Sequence, residues 1–187
     1  MATVDLRGAI ASIDIRTPEL VKFGTLSGTP TATSWSYLTP TGNRVTVTGT
    51  RLRYDASGNP IAGTVSSVTI DAANDGGADL VITGLAAAAS PLGSILRSSP
   101  LDFWSNVLSG NDVFLGRNTD GSSAKGVGLA GDGFSARAGV SAGGDDIIEM
   151  GSIAFGARGD VDRVGSGVSP VTSTYNGGDD EILGLVT

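Results

Sequence analysis

The stretch "SAGGDDIIEMGS" (141–152) sets two glycines and two aspartates directly before two isoleucines. It reads either as an acidic turn leading into a strand or as half of a metal site. The choice depends on whether the pattern recurs, and it does. Gly-x-Asp-x-apolar appears as "GADLV" (77–81), "GNDVF" (110–114), "GDDII" (144–148) and "GDDEI" (178–182). The aspartates Asp79, Asp112, Asp146 and Asp180 stand 33, 34 and 34 positions apart, and in three copies another glycine follows (Gly116, Gly151, Gly184). Weaker relatives, "AGDGFSA" (130–136) and "RGDVDRVGSG" (158–167), lie between them. Such near-constant spacing marks an internal repeat.

The pattern suits calcium. Its glycine lets the backbone turn tightly, its aspartate supplies a hard carboxylate, and the apolar residue two positions on faces the core side of a strand. One turn offers only two or three oxygens, whereas Ca²⁺ takes six to eight, so a site needs two turns stacked on each other. The bland reading of each copy is a solvated turn, and "NDGGAD" (74–79) in particular has the chemistry of an ordinary hairpin loop.

Composition narrows the chemistry further. The chain has no cysteine, which removes disulfides and thiolate chemistry, and no histidine, which removes histidine-based triads and nearly every transition-metal site. Any metal must therefore be held by oxygen, which favours Ca²⁺ or Mg²⁺. The formal charge of −7 is unevenly placed. Up to Leu101 seven acids balance seven bases, and from Asp102 onward twelve acids meet five bases. Eighteen of the 29 glycines share that second part. Such a segment repels nucleic acid and anionic membranes. There is no apolar run long enough to span a bilayer and no classical signal peptide at the start. That absence suits cytoplasmic residence or export by a route without such a peptide.

The first part reads as β. "NRVTVTGTRLRYD" (43–55) alternates about a break at Gly49, "SGNPIAG" (57–63) is a turn, and "TVSSVTID" (64–71) and "ADLVITGL" (78–85) are strands around the loop "AANDGG" (72–77). "FGTLSGTPTATSWSYLTP" (23–40) adds one or two more. Trp35, Tyr37, Tyr54, Phe103 and Trp104 read as core, and Arg51 and Arg53, flanking Leu52, as a solvated strand face. "SPLDFWSNVLSG" (99–110) predicts a short helix capped by Ser99, with Pro100 at its first position, apolar Leu101, Trp104 and Leu108, and Gly110 after its end. The expected fold is mainly β. A β-sandwich or β-rich module over 1–98 runs into a Gly/Asp-rich region over 99–187, with one short helix near 100–109.

"SAGGDDIIEMG", "YNGGDDEILG" and "LSGNDVFLG" resemble the glycine-rich nonapeptide GGxGxDxUx of RTX (haemolysin-type) calcium-binding proteins. "YDASGNPIAGTVSSVTID" and "DGGADLVITGL", followed by "DFWSNVLSGNDVFLG", resemble a β-rich module that precedes such repeats in secreted proteins of alphaproteobacteria. The resemblance covers roughly residues 45 to 187 and implies that 99–187 form an irregular parallel β-roll or β-helix binding Ca²⁺. It also implies type I export with an uncleaved C-terminal signal near "EILGLVT" (181–187). RTX arrays repeat about every nine residues, so copies recurring every 34 imply a few calcium sites rather than a regular ion stack. The expected metal ligands are Asn111, Asp112, Asp145, Asp146, Asp179 and Asp180, helped by Asp132, Asp160 and Asp162.

The function expected from these residues is that of a secreted, non-enzymatic, calcium-binding structural protein. It would assemble as a homo-oligomer or polymer in a surface layer, filament or biofilm matrix, with a cell-surface polysaccharide as a further partner and neither nucleic acid nor membrane insertion. Terminal strands such as "VDLRGAIASIDIR" (4–16) offer an edge for building a fibre. The alternative is a small secreted ligand-binding carrier or adhesin. An enzyme working through paired carboxylates ranks last, because few aromatics are present to form a sugar platform.

Overall fold

The computed structural model describes residues 1–6, 8, 17–108 and 110–115, and beyond them the backbone of six short strands. In chain order the elements begin with β1 (Thr3–Asp5), β2 (Thr25–Leu26), β3 (Ser34–Leu38), β4 (Arg44–Tyr54), β5 (Pro60–Asp71), β6 (Leu80–Thr83) and β7 (Ala87–Ala88). Two helices follow, α1 (Ala89–Ser98) and α2 (Leu101–Val107), and then β8 (Val113–Leu115). The later strands are β9 (Gly128–Ala130), β10 (Ser135–Ala136), β11 (Ile147–Glu149), β12 (Gly156–Arg158), β13 (Arg163–Val164) and β14 (Glu181–Leu183). The fold is mainly β, as the composition predicts.

One ten-stranded sheet runs in the order β14-β11-β8-β1-β6-β5-β4-β3-β2, with β7 added on β5. From β2 to β1 every pairing is antiparallel, and from β1 to β14 every pairing is parallel. The alternation in "RVTVTGTRLRY" produces the longest strand pair, β4 with β5, and the expected break at Gly49 is a shift of register there. Strand pairing aligns apolar side chains across the sheet. Trp35, Val47, Val68, Ile82, Val4 and Phe114 occupy successive partner positions, and none is more than 2% exposed. Tyr37, Val45, Ile70 and Leu80 form a second, fully buried row.

The helices cover this core. α1 buries Ala89, Leu92, Gly93 and Leu96, the spacing of one helical face, and packs on β5. Gly93 is required by that contact, since a Cβ there would come within 2.3 Å of the Pro60 ring. Phe103, Trp104, Val107 and Leu108 are buried in and just after α2. Phe103 and Trp104 meet edge to face at 4.9 Å. The segment before β2 is tied down too. The Phe23 N–H donates to Leu96 O at 2.9 Å, Arg97 lies 3.7 Å over the Phe23 ring, and the Tyr37 hydroxyl donates to Val21 O at 2.6 Å. Burial pushes the Tyr37 hydroxyl pKa far above the usual phenol range. Among the described residues no helix is long and apolar enough to cross a membrane.

Two expectations need correction. Ser99 does not cap a helix starting at Pro100: it closes α1, its N–H donating to Ile95 O at 2.9 Å, and neither helix has a side-chain cap. Residues 89–98, which precede the one short helix expected near 100–109, are themselves helical. The second concerns the terminal strand proposed as a fibre-forming edge. At residues 3–5 it is paired on both edges, with β6 on one side and β8 on the other, so no free edge remains there. Residues 9–16 of that segment lie outside the described residues.

The aligned row generates a stability prediction. Phe114→Ala, at the join between antiparallel and parallel strands, is expected to cost about 3–5 kcal/mol in urea denaturation. Ile61→Ala, at a side chain 54% exposed, is expected to change stability by no more than about 0.5 kcal/mol.

Candidate metal centre

Asp71 ends β5 and Asp79 directly precedes β6, so the loop between them must reverse the chain over few residues. It does so through three left-handed residues, Ala73 (φ 63°), Asn74 (φ 55°) and Gly76 (φ 100°). Two of these are not glycine, so the loop needs outside support. Carboxylates supply it. The Asp75 N–H donates to Asp71 Oδ1 at 2.9 Å and the Gly76 N–H to Asp71 Oδ2 at 3.1 Å. The Ala72 N–H donates to Asp79 Oδ2 at 2.7 Å, and the Gly77 N–H to Asp75 Oδ1 at 3.1 Å. From β4, Arg44 Nε donates to Asn74 Oδ1 at 2.7 Å, and just before it Asn43 Oδ1 accepts the Ala73 N–H at 3.1 Å.

This arrangement brings three acidic side chains together. One carboxylate oxygen from each of Asp71, Asp75 and Asp79 lies within 4.8 Å of the others, and among the described residues no other acidic group is so close-set. Asp71 and Asp79 are buried and Asp75 is exposed, so the cluster opens to solvent on the Asp75 side. Two carboxylates about 5 Å apart repel by about 3 kcal/mol at an effective dielectric of 20. The loop N–H groups offset part of that repulsion, and a hard divalent cation would offset more. The cluster can hold a metal ion, and its all-oxygen donor set suits Ca²⁺ or Mg²⁺.

Asp112, the aspartate of the second motif copy, lies elsewhere. It is 3% exposed and accepts a short hydrogen bond from the Ala2 N–H, while the Val113 N–H donates to Ala2 O at 3.0 Å. The pair clamps the N-terminus and seats β1 against β8. Asn111 beside it is exposed. Because β1 runs between β6 and β8, Asn111 and Asp112 are not gathered into the Asp71 cluster. The remaining expected ligands, Asp132, Asp145, Asp146, Asp160, Asp162, Asp179 and Asp180, lie outside the described residues.

No protein-family profile, curated protein or solved structure matches the chain. The reading of the site therefore rests on its own residues. The Gly-x-Asp-x-apolar pattern contains Asp79 but neither Asp71 nor Asp75. The signal was present in "DAANDGGAD" (71–79), which repeats Asp every fourth position through a Gly-bearing loop.

In calcium-free buffer Asp71→Ala, which strands two loop N–H groups, is expected to cost about 1–3 kcal/mol by urea denaturation. Asp75→Ala removes one exposed acceptor and is expected to cost less than Asp71→Ala. Its diagnostic effect is a smaller gain of stability on adding calcium. An unchanged gain assigns the cluster a purely structural role.

Proposed function

We propose that the chain is a secreted, non-enzymatic, calcium-binding structural protein. Its second half forms an irregular β-roll, and it assembles outside the cell as a surface-layer, filament or matrix subunit. The observation that carries this reading is the pairing of the strands that follow three motif copies. β8, β11 and β14 lie side by side in parallel, with Val113 opposite Ile147 and Ile147 opposite Glu181. The sequence period of 34 is thus also the period of the sheet.

Two smaller sheets support a coiled path. β9 pairs in parallel with β12 (Gly128 opposite Gly156), and β10 with β13 (Ser135 opposite Arg163), each at an offset of 28. Twelve residues separate β8 from β9 and six separate β11 from β12, while ten precede β11 and sixteen precede β14. The surplus of six moves from one limb to the other, so both circuits take 34 residues. In sequence, the position just before each of β8, β11 and β14 is an aspartate (Asp112, Asp146, Asp180), and stacked coils repeat such turns one rung apart.

Calcium gives the excess carboxylates a physical role. With little calcium they repel and keep this half of the chain expanded. Where calcium is plentiful, ion binding lowers the free energy of the coiled state and couples folding to export. RTX proteins, which the motif copies resemble, carry calcium at such turns. β14 is paired on one side only among the described residues, which leaves a parallel edge able to take another strand. The lack of histidine and cysteine favours a structural role over catalysis.

A calcium titration tests the proposal. With about 10 mM Ca²⁺ and a Kd on the order of 10⁻⁴ M, each site adds about 2.7 kcal/mol, read as a rise in Tm that EGTA reverses. Asp146→Asn is expected to lessen the rise, and light scattering to report calcium-dependent polymers. A Tm indifferent to EGTA sinks the calcium reading, and a calcium-loaded monomer sinks assembly in favour of a carrier or adhesin.

A further inference from the structure

The β4–β5 pair is regular from Arg44 to Thr48 and then shifts register three times. Between Thr50 and Arg53, β4 places Arg51 and Leu52 against the single residue Gly63 of β5, which is a β-bulge. Arg51 there has φ 53°, the left-handed region that arginine rarely adopts. Gly63 opposite has φ 111°, and a Cβ on it would come within 2.8 Å of Arg51 O and of Leu52 Cα. Only glycine lets the bulge sit so close. Leu52 turns into the core, its N–H donating to Ala32 O at 2.9 Å, while Arg51 and Arg53 both stay exposed.

The bulge forms one wall of a cleft of about 750 Å³ lined by Ala32, Thr50, Arg51, Arg53, Gly63 and Thr64, among others. Arg44 and Arg97 are committed to structure, through Asn74 and Ser27 for the first and Gly93 and Phe23 for the second. The Arg51 and Arg53 side chains make no hydrogen bond or ion pair among the described residues. The neighbouring carboxylate in sequence, Asp55, is occupied by its own turn, accepting from Asn59 Nδ2 at 2.7 Å and from the N–H groups of Asn59 and Ser57. Among the described residues of this acidic chain, two uncommitted guanidinium groups thus stand beside one cleft, one of them on a strained backbone. Strain of this kind concentrates at binding sites, and bulges re-aim side chains there.

We propose that this cleft binds an anionic saccharide. Arg51 and Arg53 grip its carboxylate or sulfate groups, and Thr50 and Thr64 meet its hydroxyls. Guanidinium forks match planar or tetrahedral oxyanions through paired hydrogen bonds. The lining residues named above include no aromatic ring, so recognition falls on charge and hydroxyl contacts rather than on stacking against a neutral sugar. The volume is of the size that holds a small oligosaccharide. The inference stands whether or not the aspartate turns take calcium.

The experiment is calorimetric titration of the full chain in EGTA, which removes calcium bridging to acidic sugars. The probes are tetragalacturonate, a heparin tetrasaccharide and neutral maltotetraose. At least one charged probe is expected to bind and the neutral one not to, and which charged probe binds separates carboxylate from sulfate as the source. Arg51→Asn is expected to weaken binding about tenfold or more with Tm unchanged or raised, because asparagine tolerates the left-handed region better. Arg53→Gln, at a residue with ordinary φ, repeats the test without touching the bulge. Binding of neither charged probe overturns the proposal, as does equal binding by Arg53→Gln or by maltotetraose.

Discussion

The fold depends on a three-residue strand that has partners of opposite direction on its two edges. Val4 of β1 lies opposite Ile82 on one side and Phe114 on the other, and all three are fully buried. Full burial of side chains this size is worth about 1.5–3 kcal/mol each, and here the gain is available only if β1 is held in register. Asp112 and Val113 hold it by taking the Ala2 N–H and donating to the Ala2 carbonyl. On one side of this joint lies an antiparallel sheet built from neighbouring hairpins, and on the other the parallel strands. Parallel pairing needs long connections, and the segments between β8, β11 and β14 supply them.

Much of this was legible. Alternation located β4, β6 and the part of β5 from Thr64 on, although residues 60–63, expected as turn, also belong to β5. The loop between β5 and β6 followed from its Asn-Asp-Gly chemistry. The repeat of 34 anticipated β8, β11 and β14 as equivalents, since equal spacing of one pattern is what a stacked sheet requires. The copy at 77–81 was misleading. Its local pattern matches the others, yet β6 is antiparallel to β1 and so runs opposite to β8. No local feature of "GADLV" encodes that reversal, because it is imposed by a strand at the far N-terminus. The helix α1 was hidden for another reason. Ala, Ser, Gly and a proline dilute the periodicity of Leu92 and Leu96, and Gly93 is there for closeness to Pro60 rather than for helix propensity.

The aspartates show why the candidate site was only half readable. In Gly-x-Asp-x-apolar the carboxylate sits where a strand begins, beside amides that need acceptors. Asp79 takes the Ala72 N–H and Asp112 the Ala2 N–H, so both buried copies serve the backbone. A carboxylate placed to receive an N–H is equally placed to receive a cation. The same letters therefore encode a strand clamp and a metal ligand, and only the number of carboxylates that converge separates the two. At residues 71–79 three converge, two of which belong to no motif copy.

In the coiled path proposed for the second half, the unequal limbs of its two circuits bear on how this chain can change through evolution. Connections of twelve and ten residues in the first circuit become six and sixteen in the second, yet the strands keep their partners. Lineages can therefore move slack from one side of a circuit to the other, as on a belt, provided the circumference is kept. Insertions and deletions in this half should accordingly appear in compensating pairs, whereas gains or losses of a whole circuit should come in steps of 34.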